Sequence, residues 1–416
     1  MQNKIEHKWS IYHKIKEKEI FLYDITSSYF EGTQNELAAF GYNRDGKKGK
    51  MQINIGLITD KEGFPLKIQV FEGNINDYKT VGEQIMAIKK QFGAEQIIFV
   101  GDRGMRLRYN FEQITENERN GIDYITGLTR SEIEQLVEKN HIQFNLFAKE
   151  LVEIQEDSIR YVLSVNPELE KESSAKRDEL RNRFEAKVAD IQLCYQTKFA
   201  KFQNNLLKIK NDSKNKKLVV QFTQKQIDKY KFDIAVLLQK YNMTSFYSIR
   251  IDEQNFDIQF DLKAYNQARN LDGKYVIATT VSTQRLNTVE VKEHYKALQN
   301  VEHAFRDLKT TKLNIRPIFH TNEENTRAHV LISMFSYCII KELETKICPF
   351  LKTYNKKEKE QLSYKDVEEE LKLIKMSVLR LGGEYREIRI SQPNLLQKQL
   401  LNLLNITKKQ IQSIAM

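Results

Sequence analysis

The chain has 416 residues, of which 40% are hydrophobic, so a sizeable buried core is expected and global disorder is excluded. Its 66 Lys and Arg residues outnumber its 56 Asp and Glu residues, and the formal net charge of +10 favours a polyanionic partner. Only three cysteines occur, none in a CxxC pair, so the sequence supports neither a disulfide framework nor a thiolate zinc site. No stretch reaches about 18 uninterrupted apolar residues, so no membrane span is expected.

The first predicted element is a short apolar run at residues 20–23, long enough for a buried strand and too short for a helix. We place Asp24 at or near the carboxyl end of this strand, where open α/β sheets carry their chemistry. Burying a carboxylate there costs free energy unless it is protonated or paired with a cation or a metal ion. Aspartate also caps turns, so a cap and a functional site both remain open for Asp24 alone.

The next elements lead to a second acid. Residues 41–50 contain glycines and four Lys or Arg residues, which suits a mobile basic turn and not a phosphate-binding P-loop. Two strands, 51–59 and 64–71, flank a hairpin turn at 60–63. Apolar residues spaced by three to four predict an amphipathic helix that ends at Gly93. A nearly continuous apolar strand at 96–100 follows, and Asp102 comes just after it.

A helical piece at 110–120 and a short strand at 124–127 complete this part of the chain. Three adjacent strands, one crossover helix and two strand-end carboxylates outline a ribonuclease H-like domain, an α/β fold with a mixed five-stranded sheet and flanking helices. From about residue 130 the composition changes, with a long charged helix at 168–210 and short strands at 218–222, 246–251 and 256–260. We predict an inserted α+β domain there, whose charged helix has a solvated face.

A core strand is predicted again at 273–279, followed by a capping box formed by Asn287 and Glu290. The helix that starts there continues through an apolar stripe up to Leu308, and a second apolar helix covers 327–343. The predicted domains are therefore the first part of the catalytic core (1–129), the inserted domain (130–272), the second part of the core with the glutamate helix (273–347), and a mostly helical C-terminal segment (348–416).

The glutamate helix offers a third acid. Glu302 borders the apolar stripe and shares one helix face with Tyr295 and Lys309, although a surface role is the default for any helical glutamate. If this helix packs across the sheet edge, Asp24, Asp102 and Glu302 converge. Carboxylate oxygens suit Mg²⁺ or Mn²⁺, and two such ions about 3.5–4 Å apart clamp both oxygens of a phosphoryl displacement. We therefore predict two Mg²⁺ (or Mn²⁺) ions, while the dispersed histidines 303, 320 and 329 are expected to be structural or DNA-facing.

Several motifs occur in a fixed order: DITSSYFEG (24–32), QINIGL (52–57), GFPL (63–66), FEGNIND (71–77), GDRGM (101–105), VEHAFRDLK (301–309) and IRPIFH (315–320). Together they resemble the insertion-sequence DDE transposases of the IS1634 group, within the IS4 superfamily. The resemblance implies Asp24, Asp102 and Glu302 as the catalytic and metal-binding triad. The interval of 200 residues between the last two acids matches the insertion that this superfamily carries before its glutamate helix.

The superfamily's signature around the glutamate is Tyr, two residues, Arg, three residues, Glu, six residues, Lys. Tyr295, Glu302 and Lys309 fit this signature, but Leu298 stands at the arginine position. We assign the missing phosphate contact to Arg306, one turn after the glutamate. The predicted DNA-binding residues are Tyr295, Arg306, Lys309, Lys312 and Arg316.

The resemblance implies a cut-and-paste DNA transposase. Metal-activated water would attack the phosphodiester at the element's end, and the freed 3′-OH would then attack target DNA. Two alternatives stay open, a ribonuclease H-like nuclease without strand transfer and a catalytically idle DNA-binding remnant.

The resemblance and the composition also set expectations for the protein's partners and location. Members of the group carry a helical region before the first acid, so the chain is expected to be N-terminally truncated or one frame of a broken element. Expected partners are transposon ends and target DNA, with no membrane and with a dimer assembling on DNA. The polar N-terminus lacks a signal peptide, which predicts a bacterial cytoplasmic, nucleoid-associated protein.

Overall fold

The computed structural model describes residues 2–143, 146, 151–211, 224–252, 255–311, 313–357, 361–381 and 385–413. The strand predicted at 218–222 lies outside these residues. The fold is mixed α/β and divides into two compact units, one formed by Met1–Ile125 and Glu293–Met416 and the other by Thr126–Lys292. Within the described ranges, no helix has both the length and the apolar character needed to cross a membrane.

Strands and helices are interspersed along the chain. The first are α1 (Gln2–Tyr12), β1 (Ile20–Tyr29), β2 (Gln52–Thr59), β3 (Pro65–Glu72), α2 (Tyr78–Met86), β4 (Ile97–Gly101), α3 (Leu107–Gln113), α4 (Glu116–Arg119) and β5 (Ile122–Gly127). The next are α5 (Arg130–Glu138), β6 (Leu151–Glu156), β7 (Ile159–Val165), α6 (Pro167–Asn211), α7 (Gln224–Lys240), β8 (Tyr247–Ile251), β9 (Phe256–Phe260), α8 (Leu262–Arg269), β10 (Lys274–Thr279) and α9 (Thr288–Lys296). The last are α10 (Leu298–Arg306), α11 (Glu323–Lys357), α12 (Tyr364–Lys372), β11 (Met376–Leu381), β12 (Tyr385–Ile390), α13 (Leu395–Leu403) and α14 (Lys408–Ser413).

The first unit is built on strands in the order β3-β2-β1-β4-β5. Strand β1 runs antiparallel to β2 and parallel to β4, and its last pair with β4 joins Tyr23 to Gly101. The strand predicted to end at residue 23 in fact continues to Tyr29. It continues because β2 keeps pairing with it as far as Gln52, after the pairing with β4 has stopped.

A tight hairpin turn joins β2 to β3, as the sequence predicted. The Asp60 carboxylate accepts hydrogen bonds from the backbone N–H groups of Glu62 (3.1 Å) and Phe64 (2.8 Å), and it also pairs with the Lys18 ammonium. Gly63 has φ +81°, a conformation that L side chains rarely adopt. A Cβ at this glycine would also lie 2.7 Å from the Cβ of Asn300, so the turn fits closely under α10.

Helices cover the strands of the first unit. The hydroxyl of Tyr23 on β1 lies 2.8 Å from that of Thr80 on α2, and the absence of a side chain at Gly56 makes room for this tyrosine ring. Helix α10 packs against β1 and β2, and α11 packs against β3. At α1, the buried Glu6 carboxylate pairs with the ammonium of Lys67 on β3 at 3.1 Å.

The second unit has its own core. Strand β7 pairs antiparallel with both β6 and β10, and β8 forms an antiparallel hairpin with β9. The long helix predicted at 168–210 is present as α6, and the apolar residues of its inner face pack with α7, β8, β9 and α8. The strand predicted at 273–279 is present as β10.

Candidate active site

Two of the predicted acids lie at the same level of two neighbouring strands, Asp24 inside β1 and Asp102 directly after β4. Tyr23 and Gly101 form the last pair between the parallel strands β1 and β4, and Asp24 and Asp102 are the next residue of each chain segment. Asp24 is half-buried inside β1, so it is not a turn cap. Asp102 is exposed, and its carboxylate accepts a hydrogen bond from the N–H of Gly104, which caps a short 3₁₀ turn at Arg103–Met105.

The third acid is on α10, whose buried residues face the strands. The capping box at Asn287 is present, with the Glu290 carboxylate accepting the Asn287 N–H at 2.7 Å, so α9 begins as predicted. The helix is not continuous, because α9 ends at Lys296 and α10 begins at Leu298. Glu302 is exposed between the buried Val301 and the buried residues of the next turn.

The protonation of Asp24 depends on its surroundings. Burial raises the pKa of Asp24 from its usual 3.8 to about 7, while a hydrogen bond from the Ile25 N–H (2.7 Å) acts in the opposite direction. The negative charges of Asp102 and Glu302 contribute to this increase, and the positive charge of Arg44 opposes it. The three predicted acids therefore interact electrostatically, and a cation between them would relieve their repulsion.

A ready-made metal centre is not formed by these acids. In the part of the chain that the structure describes, no group of three His, Cys, Asp or Glu side chains is arranged to hold a metal ion. The donor chemistry nevertheless fits a hard divalent cation, since all three side chains offer carboxylate oxygens. Asp102 and Glu302 are both exposed, and Asp24 is half-buried.

The predicted DNA-binding residues have different surroundings. The ammonium of Lys309 lies 2.9 Å from a carboxylate oxygen of Asp45, and the guanidinium of Arg316 contacts the same oxygen. Only 10% of the Lys309 side chain and 2% of the Asp45 side chain are exposed, and burial lowers the pKa of Lys309. Tyr295 is half-buried and Arg306 is exposed.

Lys312 lies outside the described residues. Two of the five predicted DNA contacts, Lys309 and Arg316, are therefore already paired with the buried carboxylate of Asp45.

Asp45 and Arg44 were missed as candidate residues. Both belong to residues 40–51, which we call the basic loop, and the only signal in the sequence was an acid inside a basic stretch. The Arg44 guanidinium donates hydrogen bonds to both carboxylate oxygens of Asp77 at 2.7 and 2.6 Å. Its positive charge also lowers the pKa of Asp24, so the basic loop interacts electrostatically with that acid.

Two of the histidines that were expected to be dispersed are neighbours. The rings of His320 and His329 have centroids 5.1 Å apart. Phe30, just after β1, pairs with Ile318, two residues before His320, and His329 lies on α11. The Nε2 atom of His329 lies 3.3 Å from the carbonyl oxygen of Ile315. His303 is exposed on α10.

Comparison with known proteins yields a family match and a weak structural likeness. The family model described as "Transposase DDE domain" matches residues 15–339. No curated protein sequence matches the chain. The cryo-EM structure of the piggyBac transposase synaptic complex with hairpin DNA is similar at 10% sequence identity, with a TM-score of 0.26. That similarity covers 37% of this chain and 32% of the other, so the chain spans about a third of the length of that protein.

Proposed function

Because the chain belongs to the transposase DDE domain family, we propose that it is a metal-dependent DNA transposase of the IS1634 group. The proposed core is ribonuclease H-like, and the strand order β3-β2-β1-β4-β5 supports it, since β1 lies between an antiparallel hairpin and a parallel neighbour. The second unit would contribute the inserted domain, with α6 as its long helix.

One observation carries the proposed catalytic role. Asp24 and Asp102 follow the last pair of two adjacent parallel strands, and α10, which bears Glu302, packs against the same strand β1. The electrostatic influence of Asp102 and Glu302 on Asp24 supports a common site for the three acids.

The proposed cofactor is a pair of Mg²⁺ (or Mn²⁺) ions held by Asp24, Asp102 and Glu302. Such ions, when bound, lower the pKa of water and stabilise charge on the attacking and leaving oxygens of the phosphodiester. The part played by Asp24 is set by its burial, because its carboxylate holds a proton up to a pH of about 7 unless a cation replaces that proton. Asp102 and Glu302 are exposed and would approach Asp24 from the surface.

The net charge of +10 and the exposed Arg306, one turn after Glu302, support DNA as the substrate. We propose Tyr295, Arg306 and Lys312 as direct contacts to DNA. Lys309 and Arg316 would add positive potential from their buried pairing with Asp45, which also fixes the basic loop in place. Assembly as a dimer on transposon ends, in a bacterial nucleoid, completes the proposal.

A second candidate function is a catalytically idle DNA-binding remnant. The lack of a three-ligand group among the described residues favours this candidate. A ribonuclease H-like nuclease would share the proposed acids and differ only after cleavage, because it would not transfer the cut strand to a second DNA.

Two assays separate these possibilities. Supercoiled plasmid carrying the element's ends is incubated with the protein in Mg²⁺, Mn²⁺ or EDTA, and nicking is followed on a gel. A labelled duplex with a free 3′-OH terminal end is then offered together with an intact plasmid. A transposase nicks only with metal and joins the label to the plasmid, a nuclease nicks without joining, and a remnant does neither.

A further inference from the structure

The basic loop presents two large aromatic side chains to solvent. Phe40 is 65% exposed and Tyr42 is 83% exposed, and they are separated by a single glycine. The guanidinium of Arg44 lies 5.9 Å from the centroid of the Tyr42 ring. Most of the surface of both rings is left open, although burying such rings is ordinarily favourable.

Several hydrogen bonds and one close backbone approach order the part of the loop that carries these rings. Ala39 and Gln52 close its base with two reciprocal backbone hydrogen bonds of 3.0 Å, and the Gln52 amide donates to the carbonyl of Tyr42 at 3.1 Å. Gly41 is pressed against the neighbouring backbone, since a Cβ there would lie 2.2 Å from the carbonyl oxygen of Gly73. These contacts define the backbone conformation between the two rings, while the mobility expected for residues 41–50 stays a prediction.

The loop is also tied to the two elements that carry the proposed catalytic acids. The N–H of Arg44 donates to the hydroxyl of Ser27 at 2.9 Å, and Ser27 follows Asp24 by three residues on β1. At the other side, Asp45 pairs with Lys309 in the turn that continues α10 beyond Glu302. The loop therefore contacts both of the elements that carry Asp24 and Glu302.

The charge of the loop matches a nucleic acid. Lys47 and Lys48 are exposed, and the ammonium of Lys47 lies 5.6 Å from the centroid of the Tyr29 ring. Proteins that bind single-stranded nucleic acid combine cationic side chains that follow the backbone with aromatic rings on which bases stack. The faces of bases inside a duplex are covered by their neighbours, so exposed rings of this kind fit unpaired bases.

We propose that the basic loop binds an unpaired segment of DNA, with bases stacked on Phe40 and Tyr42 and phosphates contacted by Lys47 and Lys48. The inference rests on the proposed function, since it takes DNA as the substrate. It adds that part of the DNA is held with its bases unpaired.

Binding without metal tests the proposal, because no cleavage then takes place. A labelled 12-nucleotide oligo(dT) strand and the same strand in a duplex are titrated with the full-length protein in EDTA at one fixed salt concentration. The Phe40→Ala/Tyr42→Ala variant should bind the single strand about 5- to 150-fold more weakly for each base that can no longer stack. Its duplex affinity should change less than about threefold, and Tyr12→Ala, which alters a tyrosine that is 74% exposed on α1, is the matched control.

Replacing the two lysines should change the salt dependence of binding, which the aromatic variant should not. Lys47→Gln/Lys48→Gln should reduce the slope of log affinity against log salt by about 0.7 for each single-strand phosphate that is no longer neutralised, whereas the aromatic variant should leave that slope unchanged. Equal weakening of single-strand and duplex binding in the aromatic variant, or no weakening at all, would overturn the proposal. A wild-type protein that shows the aromatic-dependent preference and yet never nicks DNA with metal would disprove the catalytic proposal alone.

Discussion

Replacing Asp24 by asparagine should stabilise the metal-free protein at alkaline pH, although it removes a proposed catalytic group. The folded-state pKa of Asp24 is raised from 3.8 to about 7, chiefly by burial, so ionisation costs the folded state more than the unfolded state. The stability associated with neutral Asp24 is fully present below about pH 4 and is lost as the pH rises through 7. Asparagine has the same shape and does not ionise.

The expected size follows from the shift in pKa. About three pKa units at about 1.4 kcal/mol per unit give about 4 kcal/mol above pH 7. Asp24 is half-buried, so solvent screens part of this cost, and we expect a gain of about 1 to 4 kcal/mol in the variant. At pH 5 the gain should fall to less than half, because folded Asp24 is then protonated. The asparagine oxygen can still accept the hydrogen bond from the Ile25 N–H.

Urea unfolding in EDTA at pH 5 and pH 8, followed by circular dichroism, measures this difference. Asp157→Asn is the matched control, since Asp157 is exposed in the turn between β6 and β7 and its φ of 50° is one that asparagine accepts. A gain that is absent at pH 8, or equal at the two pH values, would show that Asp24 is not buried as an isolated charge.

Three further predictions concern packing and DNA binding. Asp45→Ala should lower the free energy of unfolding by about 3–5 kcal/mol, because two cationic side chains lose their buried partner; a decrease below about 1 kcal/mol in urea would contradict this. Gly56→Ala should lower the free energy of unfolding by about 1–3 kcal/mol, because the new Cβ would lie 2.6 Å from the Tyr23 hydroxyl. In the matched variant Gly82→Ala, the new Cβ on α2 meets nothing within 4 Å, so thermal unfolding should show a gain of about 0.5–1 kcal/mol. Duplex DNA affinity should fall about tenfold or more between about 50 and 200 mM salt, and Arg306→Ala should lower the salt slope by about 1 in fluorescence anisotropy; an affinity insensitive to salt would exclude phosphate contacts.

Local patterns in the sequence were sufficient for much of the fold. The apolar run before Asp102 became β4, the Asp60 turn became a hairpin, and the capping box at Asn287 started α9. These features depend on residues that are close in the chain, where spacing, capping and turn chemistry act directly. The same patterns placed Asp102 directly after a strand, whereas Asp24, expected near a strand end, lies inside β1.

Contacts between distant residues could not be predicted in the same way. The length of β1 depends on pairing with β2, and the partner of Lys309 is Asp45, 264 residues earlier in the chain. A lysine at the end of a helix and an acid in a glycine-rich stretch carry no local sign that they will be buried together. The contacts that attach the basic loop to β1 and to the turn beyond α10 are of the same long-range kind.

The central claim is that three distant carboxylates serve one metal-dependent reaction. Mg²⁺-dependent plasmid nicking by Asp24→Asn, Asp102→Asn and Glu302→Gln tests it directly, with Asp157→Asn and Glu293→Gln as controls on exposed acids and circular dichroism to verify folding. Each triad variant should lose nearly all cleavage, because one anionic ligand of the metal site is gone, while both controls should cleave like the wild type. Near-normal cleavage by any one folded triad variant would contradict the role assigned to that acid.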